Sequence, residues 1–209
     1  EYTLGISLSG TPNGSETLTV NPQSNSIYDF GGNVASTSQS NNSISLNDKL
    51  SPTMTISSST INSGETSNDS TISLTFTSSE STTNFVQNNI TISGGSLSNF
   101  SGSGTTYNAT LTQSGDATYS ISVAQNKFTD SAGNNNNASN TFTWTYDSTA
   151  PTITGVTLAS DNTTIVVTFN EAVYNTNSGS GSLEVGDFVF ALNGGCLLYT
   201  SPSPRDGRI

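Results

Sequence analysis

The stretch SPTMTIS at residues 51–57 returns as APTITGV at residues 150–156, which places Pro52 and Pro151 99 residues apart. The residues ahead of each proline recur as well. SISLND at 43–48 and TFTWTYD at 141–147 both alternate along a strand and end in Asp, and a D-x-x-G-N pattern stands upstream at Asp29–Asn33 and again at Asp130–Asn134. Four features in one order mark a repeated domain of about 100 residues, the size of a small β-sandwich.

Composition narrows what that domain is. Hydrophobic residues make up 31% of the 209-residue chain and charged residues only 9%, so Ser, Thr, Asn and Gly fill most positions. Disordered chains pair low hydrophobicity with many charges and few β-branched or aromatic residues. Here Thr, Ile, Val, Phe and Tyr fall in short alternating runs, which points to sheets with polar outer faces. Fifteen acidic residues stand against four basic ones, with no His. That balance excludes nucleic acid and anionic lipid as partners, because phosphate recognition relies on clustered Lys and Arg. No apolar run is long enough to span a bilayer, so direct membrane insertion is not expected.

Within residues 50–150 seven strands are expected: Met54–Ser57, Thr71–Thr77, Asn89–Ser93, Leu97–Phe100, Thr106–Thr112, Tyr119–Val123 and Thr141–Tyr146. Gly, Asn, Asp and Ser clusters separate them, and this strand count is that of an immunoglobulin-like sandwich. The expected core takes one face of each strand: Ile56, Ile72, Leu74, Phe76, Ile90, Ile92, Leu97, Tyr107, Ala109, Leu111, Ile121, Val123, Phe128, Phe142 and Trp144. Trp144, the single tryptophan, is expected to pack between the sheets rather than stack on a sugar.

The flanks read as parts of the same unit. In residues 1–49, Tyr2–Ser9 matches the Tyr107 strand, Glu16–Val20 the Tyr119 strand, Ile27–Asp29 the Lys127–Phe128 segment, and Ser43–Asp48 the last strand. In residues 151–195, Thr163–Phe169 echoes Thr71–Phe76 and Asp187–Leu192 echoes Asn89–Ser93. The fold class is therefore all-β: one complete sandwich at 50–150 between the C-terminal half of a repeat at 1–49 and the N-terminal half of another at 151–195. Half sandwiches leave inner faces and strand edges uncovered, so the flanks are expected to be loose, misfolded or paired with each other.

Residues 196–209 differ in character. CLLYTSPSPRD, Cys196–Asp206, holds the only Cys and is similar, codon by codon, to a translated sequencing-library adapter. On that reading Cys196 is neither nucleophile nor ligand, and residues 1–195 keep 14 acidic and only two basic side chains, Lys49 and Lys127.

Most catalytic constellations fail on inventory. Without His, a credible Cys or an Arg in residues 1–195, there is no Ser-His-Asp triad, thiol–imidazole pair, histidine zinc site or arginine clamp. No feature selects a pair of carboxylates for glycoside cleavage. Calcium is the one ligand with a case, because it takes six to eight oxygens from carboxylates, amides and carbonyls. The candidate metal ligands are Glu80, Asp130, Asn134 and Asp147. The competing reading of Asp130–Asn134 is an ordinary turn, in which Asp caps backbone amides and Gly permits positive φ.

These residues together resemble the bacterial Ig-like repeats of large secreted and surface-attached proteins. The resemblance is carried by SPTMTIS and STAPTITGV at unit starts, TISLTFTSSE at 71–80, TTIVVTFNEAV at 163–173, ISGGSL at 92–97 and FTDSAGNNNNAS at 128–139. It implies a non-enzymatic spacer or stalk in an extracellular bacterial adhesin, with neighbouring repeats as partners, and glycans or other cells bound through other domains. It also implies Ca²⁺ near domain junctions. A second expectation is a carbohydrate-binding module of a secreted polysaccharide-degrading enzyme, for which Tyr28, Tyr119 and Tyr174 are the aromatics to inspect.

Overall fold

A computed structural model describes residues 1–177 and 179–191. The adapter-like stretch Cys196–Asp206 and residue Leu192 of the expected last strand lie outside the described residues. The described chain is all-β, with strands β1 Thr17–Thr19, β2 Ser43–Ser45, β3 Met54–Ser58, β4 Thr66–Ser67, β5 Thr71–Thr82, β6 Ile90–Ile92, β7 Ser96–Thr112, β8 Ala117–Val123, β9 Phe142–Tyr146, β10 Ile153–Leu158 and β11 Ile165–Phe169. The chain divides into two compact units, one ending at Ser148 and one beginning at Thr149.

In the first unit two sheets, ordered β3-β5-β7 and β4-β9-β8-β6, face one another. Period two decides which side chains meet. Met54 and Ile56 of β3, Ile72, Leu74 and Phe76 of β5, and Tyr107, Ala109 and Leu111 of β7 are buried. They pack against Tyr119, Ile121 and Val123 of β8 and Phe142 and Trp144 of β9. The Thr and Ser between them point outward, as expected for a sheet with one solvated face. Every expected core residue lies in this cluster, with Ile90, Ile92 and Leu97 only partly buried. The core also takes Met54, Ile61, Phe85 and Tyr119, which the strand pattern does not place there.

Two strands differ from expectation. Leu97–Phe100 and Thr106–Thr112 belong to one continuous element, β7. A strand rises about 3.3 Å per residue, yet Ser98 Oγ reaches Thr110 O at 3.4 Å, so β7 folds back on itself. Gly102 makes the reversal possible. A Cβ there would lie 2.3 Å from Thr106 O, and its φ of +132° suits glycine alone. The second difference is β5, which runs on to Thr82 through a register shift after Thr77. Its alternation persists into polar sequence, so Ser78, Glu80 and Thr82 continue the inward column begun by Ile72, Leu74 and Phe76.

Asparagine side chains replace missing strand partners. Asn140 Oδ1 accepts from Ile56 N at 2.7 Å and its Nδ2 donates to Ile56 O at 2.9 Å, sealing the outer edge of β3. Asn136, 2% exposed, accepts from Lys127 N and Phe128 N and donates to Ala124 O and Asn137 O.

Ahead of the sandwich, β1 and β2 form a two-stranded antiparallel sheet. In the second unit β10 and β11 form another. Each flank reproduces local devices of the sandwich. Asn33 N and Nδ2 donate to the Asp29 carboxylate at 2.8 and 2.7 Å, as Asn134 N and Nδ2 do to Asp130 at 2.9 Å each. The 3-10 turns Gln87–Asn89 and Val185–Asp187 match in the same way, with Val86 N donating to Asn89 Oδ1 and Glu184 N to Asp187 Oδ2. Asn170 N donates to Thr152 O as Ser79 N does to Thr53 O, which puts Glu171 at the register place of Glu80.

Candidate metal centre

The residues entering the sandwich are bonded to it rather than hinged. Pro52 is fully buried, its carbonyl accepts from Asn137 N at 2.9 Å, and Thr53 pairs with Ser79 through Thr53 N to Ser79 Oγ and Ser79 N to Thr53 O, both at 2.9 Å. Upstream, Lys49 N donates to Pro12 O at 2.8 Å. This lacing delivers Asp48 to the end of β5.

There the carboxylates of Asp48, Glu80 and Asp130 come together, each offering an oxygen within 4.8 Å of the others. Glu80 arrives as the inward residue of the polar end of β5. Asp130 arrives through an antiparallel bridge between Thr82 and Asp130, on a loop closed by Asp130 N to Asn134 O at 3.2 Å. Asn134 Nδ2 additionally reaches Asp48 O at 3.3 Å.

Electrostatics make this arrangement costly as it stands. Burial and the neighbouring charges of Asp48 and Asp130 push the Glu80 carboxyl above the ordinary Glu range, and its Oε1 is buried without a hydrogen-bond partner. Asp130, 7% exposed, behaves oppositely. Burial is the largest single influence and raises its pKa, but hydrogen bonds from Asn134 and from the Ala132 and Gly133 amides together outweigh it and hold the pKa below the ordinary Asp value.

The donor set fits a hard divalent cation. Oxygens on opposite sides of a Ca²⁺ stand about 4.6–5.2 Å apart, given ligand distances of about 2.3–2.6 Å. Three carboxylates sharing one small volume satisfy that span and supply the neutralising charge. Asp48, Glu80 and Asp130 are thus the residues that would hold the ion, with Asn134 fixing the Asp130 carboxylate.

Of the four sequence candidates, Glu80, Asp130 and Asn134 are brought together and Asp147 is not. Asp147 follows β9, whose Tyr146 pairs with Ala117 at the start of β8, and its N–H donates to Ser67 O at 3.1 Å. The Asp130 loop leaves from the other end of β8, beyond Val123. Asp48, the residue ending the equivalent SISLND stretch, takes the place expected of Asp147. Asp48 and Asp147 both stand four residues ahead of a unit proline, so the repeat marks the pair and the fold selects Asp48.

A raised acid pKa means that the folded state favours the protonated form. In the ion-free protein, stability linked to Glu80 is therefore full below its unfolded pKa and is lost as pH rises through the elevated folded value. In chelator, Glu80→Gln is expected to be more stable than wild type at pH 7 and to lose that advantage near pH 4. Urea melts at the two pH values check this.

The aromatics weighed for sugar stacking divide. Tyr119 is 3% exposed, stacks on Trp144 at 5.5 Å and donates its hydroxyl to Gly115 O at 2.7 Å. Tyr28 and Tyr174 are exposed, one in each flank. No helix among the described residues is long and apolar enough to cross a membrane.

No curated protein and no solved structure matches the chain. A family described as a bacterial Ig-like domain matches residues 48–146, from the Asp that enters the carboxylate cluster to the end of β9. Domains of this family are generally non-catalytic structural modules, typical of extracellular or surface proteins. With two facing sheets, an aromatic interior and a boundary at Asp48, residues 48–146 are similar to the bacterial Ig-like domains.

Proposed function

We propose that the chain is a non-enzymatic spacer segment of an extracellular bacterial surface protein of adhesin type, in which partial repeats at 1–49 and 151–195 flank a complete Ig-like domain and Ca²⁺ stiffens the junction. The observation that carries this reading is the entry to the sandwich. A flexible tether would leave Asp48–Thr53 to solvent, whereas here the buried Pro52, the Thr53–Ser79 pair and the Asp48 carboxylate tie the preceding segment to the domain end. A rigid bead with a fixed entry is what a stalk requires, and the fixed φ of proline restricts bending further.

The carbohydrate-binding alternative lacks support where it needs it most. All nine aromatics between Asp48 and Ser148 lie in the core or pack against it, leaving no row of exposed rings on the domain.

Extracellular Ca²⁺ modules bind with dissociation constants of about 0.1–1 mM. A tenfold excess of ion over a 1 mM constant stabilises by about 1.4 kcal/mol, a melting-temperature rise on the order of 5–10 °C for a domain this size. Asp48→Asn should abolish most of the rise, and Asp147→Asn should leave it intact. An unchanged melting temperature at 10 mM Ca²⁺ removes the metal from the proposal. Fast hydrogen exchange at Thr53, Ser79 and Asn137 in the folded protein removes the stiff junction.

A further inference from the structure

In the sandwich, β5 has strands on both sides: β3 along one edge and the Thr106–Thr112 arm of β7 along the other, with Phe76 opposite Tyr107 and Leu74 opposite Ala109. The second unit repeats the first half of this arrangement. β10 and β11 pair as β3 and β5 do, but they form a two-stranded sheet, so the far edge of β11 carries no strand among the described residues.

The segment that belongs on such an edge is present in the same chain. Tyr2–Ser9, YTLGISLS, matches YNATLTQS at Tyr107–Ser114, the stretch that closes the edge of β5. Residues 1–8 form no strand, and their alternate apolar side chains Tyr2, Leu4, Ile6 and Leu8 are exposed, Tyr2 by 94%. Ile153, Val156, Leu158, Ile165 and Val166 of the β10–β11 pair are exposed as well.

Charge argues in the same direction. The protein carries a net charge of −11, yet Tyr2–Ser9, β10 and β11 contain no charged residue. Natural edge strands are guarded by charges or prolines against strand addition, and neither guard is present in these three segments. An isolated two-stranded hairpin is marginal in water and gains from a third strand.

We infer that Tyr2–Ser7 of one molecule adds as a strand to the outer edge of β11, unpaired among the described residues, in a second copy of this chain. The inference rests on the repeat reading of the flanks and is independent of Ca²⁺. Period two fixes the face: Tyr2, Leu4 and Ile6 lie on the side of Ile165, Val167 and Phe169, and a slip of two residues keeps them there. Donor and acceptor are different surfaces of the molecule, so each contact is heterologous, and copies linked this way form closed rings, reciprocally exchanged dimers or open chains.

The full-length chain is followed by light scattering after size exclusion across a concentration series. Wild type should form species larger than a monomer whose share grows with concentration. Leu4→Pro removes a donor N–H from the adding strand, and Val167→Pro does the same at the acceptor edge. Each variant alone should be monomeric, with the fluorescence melt of Trp144 unchanged. Their equimolar mixture retains one intact donor and one intact acceptor, and should give a dimer and nothing larger. A wild type that stays monomeric at all concentrations overturns the inference, as it must if the strand closes onto its own chain. Association of Leu4→Pro equal to wild type, or a mixture that stays monomeric, overturns it too.

Discussion

Phe85→Ala should strongly destabilise the Ig-like domain although the residue lies outside the strands, with a loss of about 3–5 kcal/mol. The residue sits in the link between β5 and the 3-10 turn, yet it is 3% exposed and its ring meets four others: Tyr107 at 5.1 Å, Phe128 at 5.3 Å, Phe100 at 5.7 Å and Phe76 at 5.8 Å. It joins residues from β5, β7 and the Asp130 loop, so its removal leaves a cavity bounded by elements that cannot all collapse inward. Three of these contacts are edge-on or nearly so, the geometry in which aromatic pairs contribute about 0.5–1.5 kcal/mol beyond area burial. Domains of this size hold about 5–15 kcal/mol in total, so the variant should melt on the order of 15–30 °C lower. Trp144, buried in this domain and the only tryptophan of the chain, reports the transition by fluorescence without interference from the flanks. Val86→Ala, at the half-exposed neighbour, should stay within about 0.5 kcal/mol of wild type. Equal effects from the two substitutions would show that Phe85 does not hold the aromatic cluster together.

Asn136→Ala is the second large loss, expected at about 3 kcal/mol because each buried group stripped of its partner costs about 1–3 kcal/mol. Four backbone groups depend on this one carboxamide: Lys127 N at 2.7 Å, Phe128 N at 2.9 Å, Ala124 O at 2.9 Å and Asn137 O at 2.7 Å. The chemistry offers a sharper control than alanine. Asn136→Asp keeps the acceptor but turns a charged, donor-free oxygen toward two carbonyls, so it should cost at least as much as alanine at pH 7 and recover part of the loss on acidification. Asn135→Ala, one residue away and exposed, should be silent. Parallel urea melts of the three variants decide whether the loop is built on this side chain.

The strands and their inward faces could be read from alternation because burial in a sandwich follows period two. Ile72, Leu74 and Phe76 are legible for that reason. Phe85 is not, since it lies among Thr, Asn and Val with no period, and its burial depends on β7 folding back over it. Tyr119 looked available for a sugar because a tyrosine in an alternating strand reads the same on either face; the ring of Trp144 and the carbonyl of Gly115 decide its side. At the carboxylate cluster, residue types were legible but the unit boundary was not. Asp48 and Asp147 end equivalent stretches, and only the fold tells that the Asp preceding a domain, rather than the one following it, meets that domain's Glu and Asp.

The run Asn134–Asn137 looks like low-complexity filler, but its four members are not interchangeable. Asn134 fixes a carboxylate, Asn136 holds a loop together, and Asn135 and Asn137 are exposed to solvent. Loss of any one of the four leaves the same shortened sequence, whichever codon slips during replication. The damage would appear downstream: Ser139, whose hydroxyl accepts from Val123 N, and Asn140, which stands in for a strand against Ile56, would each arrive one position early. A repeat tract that tolerates substitution at two of its positions therefore tolerates no change in length, and in related arrays the length of this tract should vary less than its spelling.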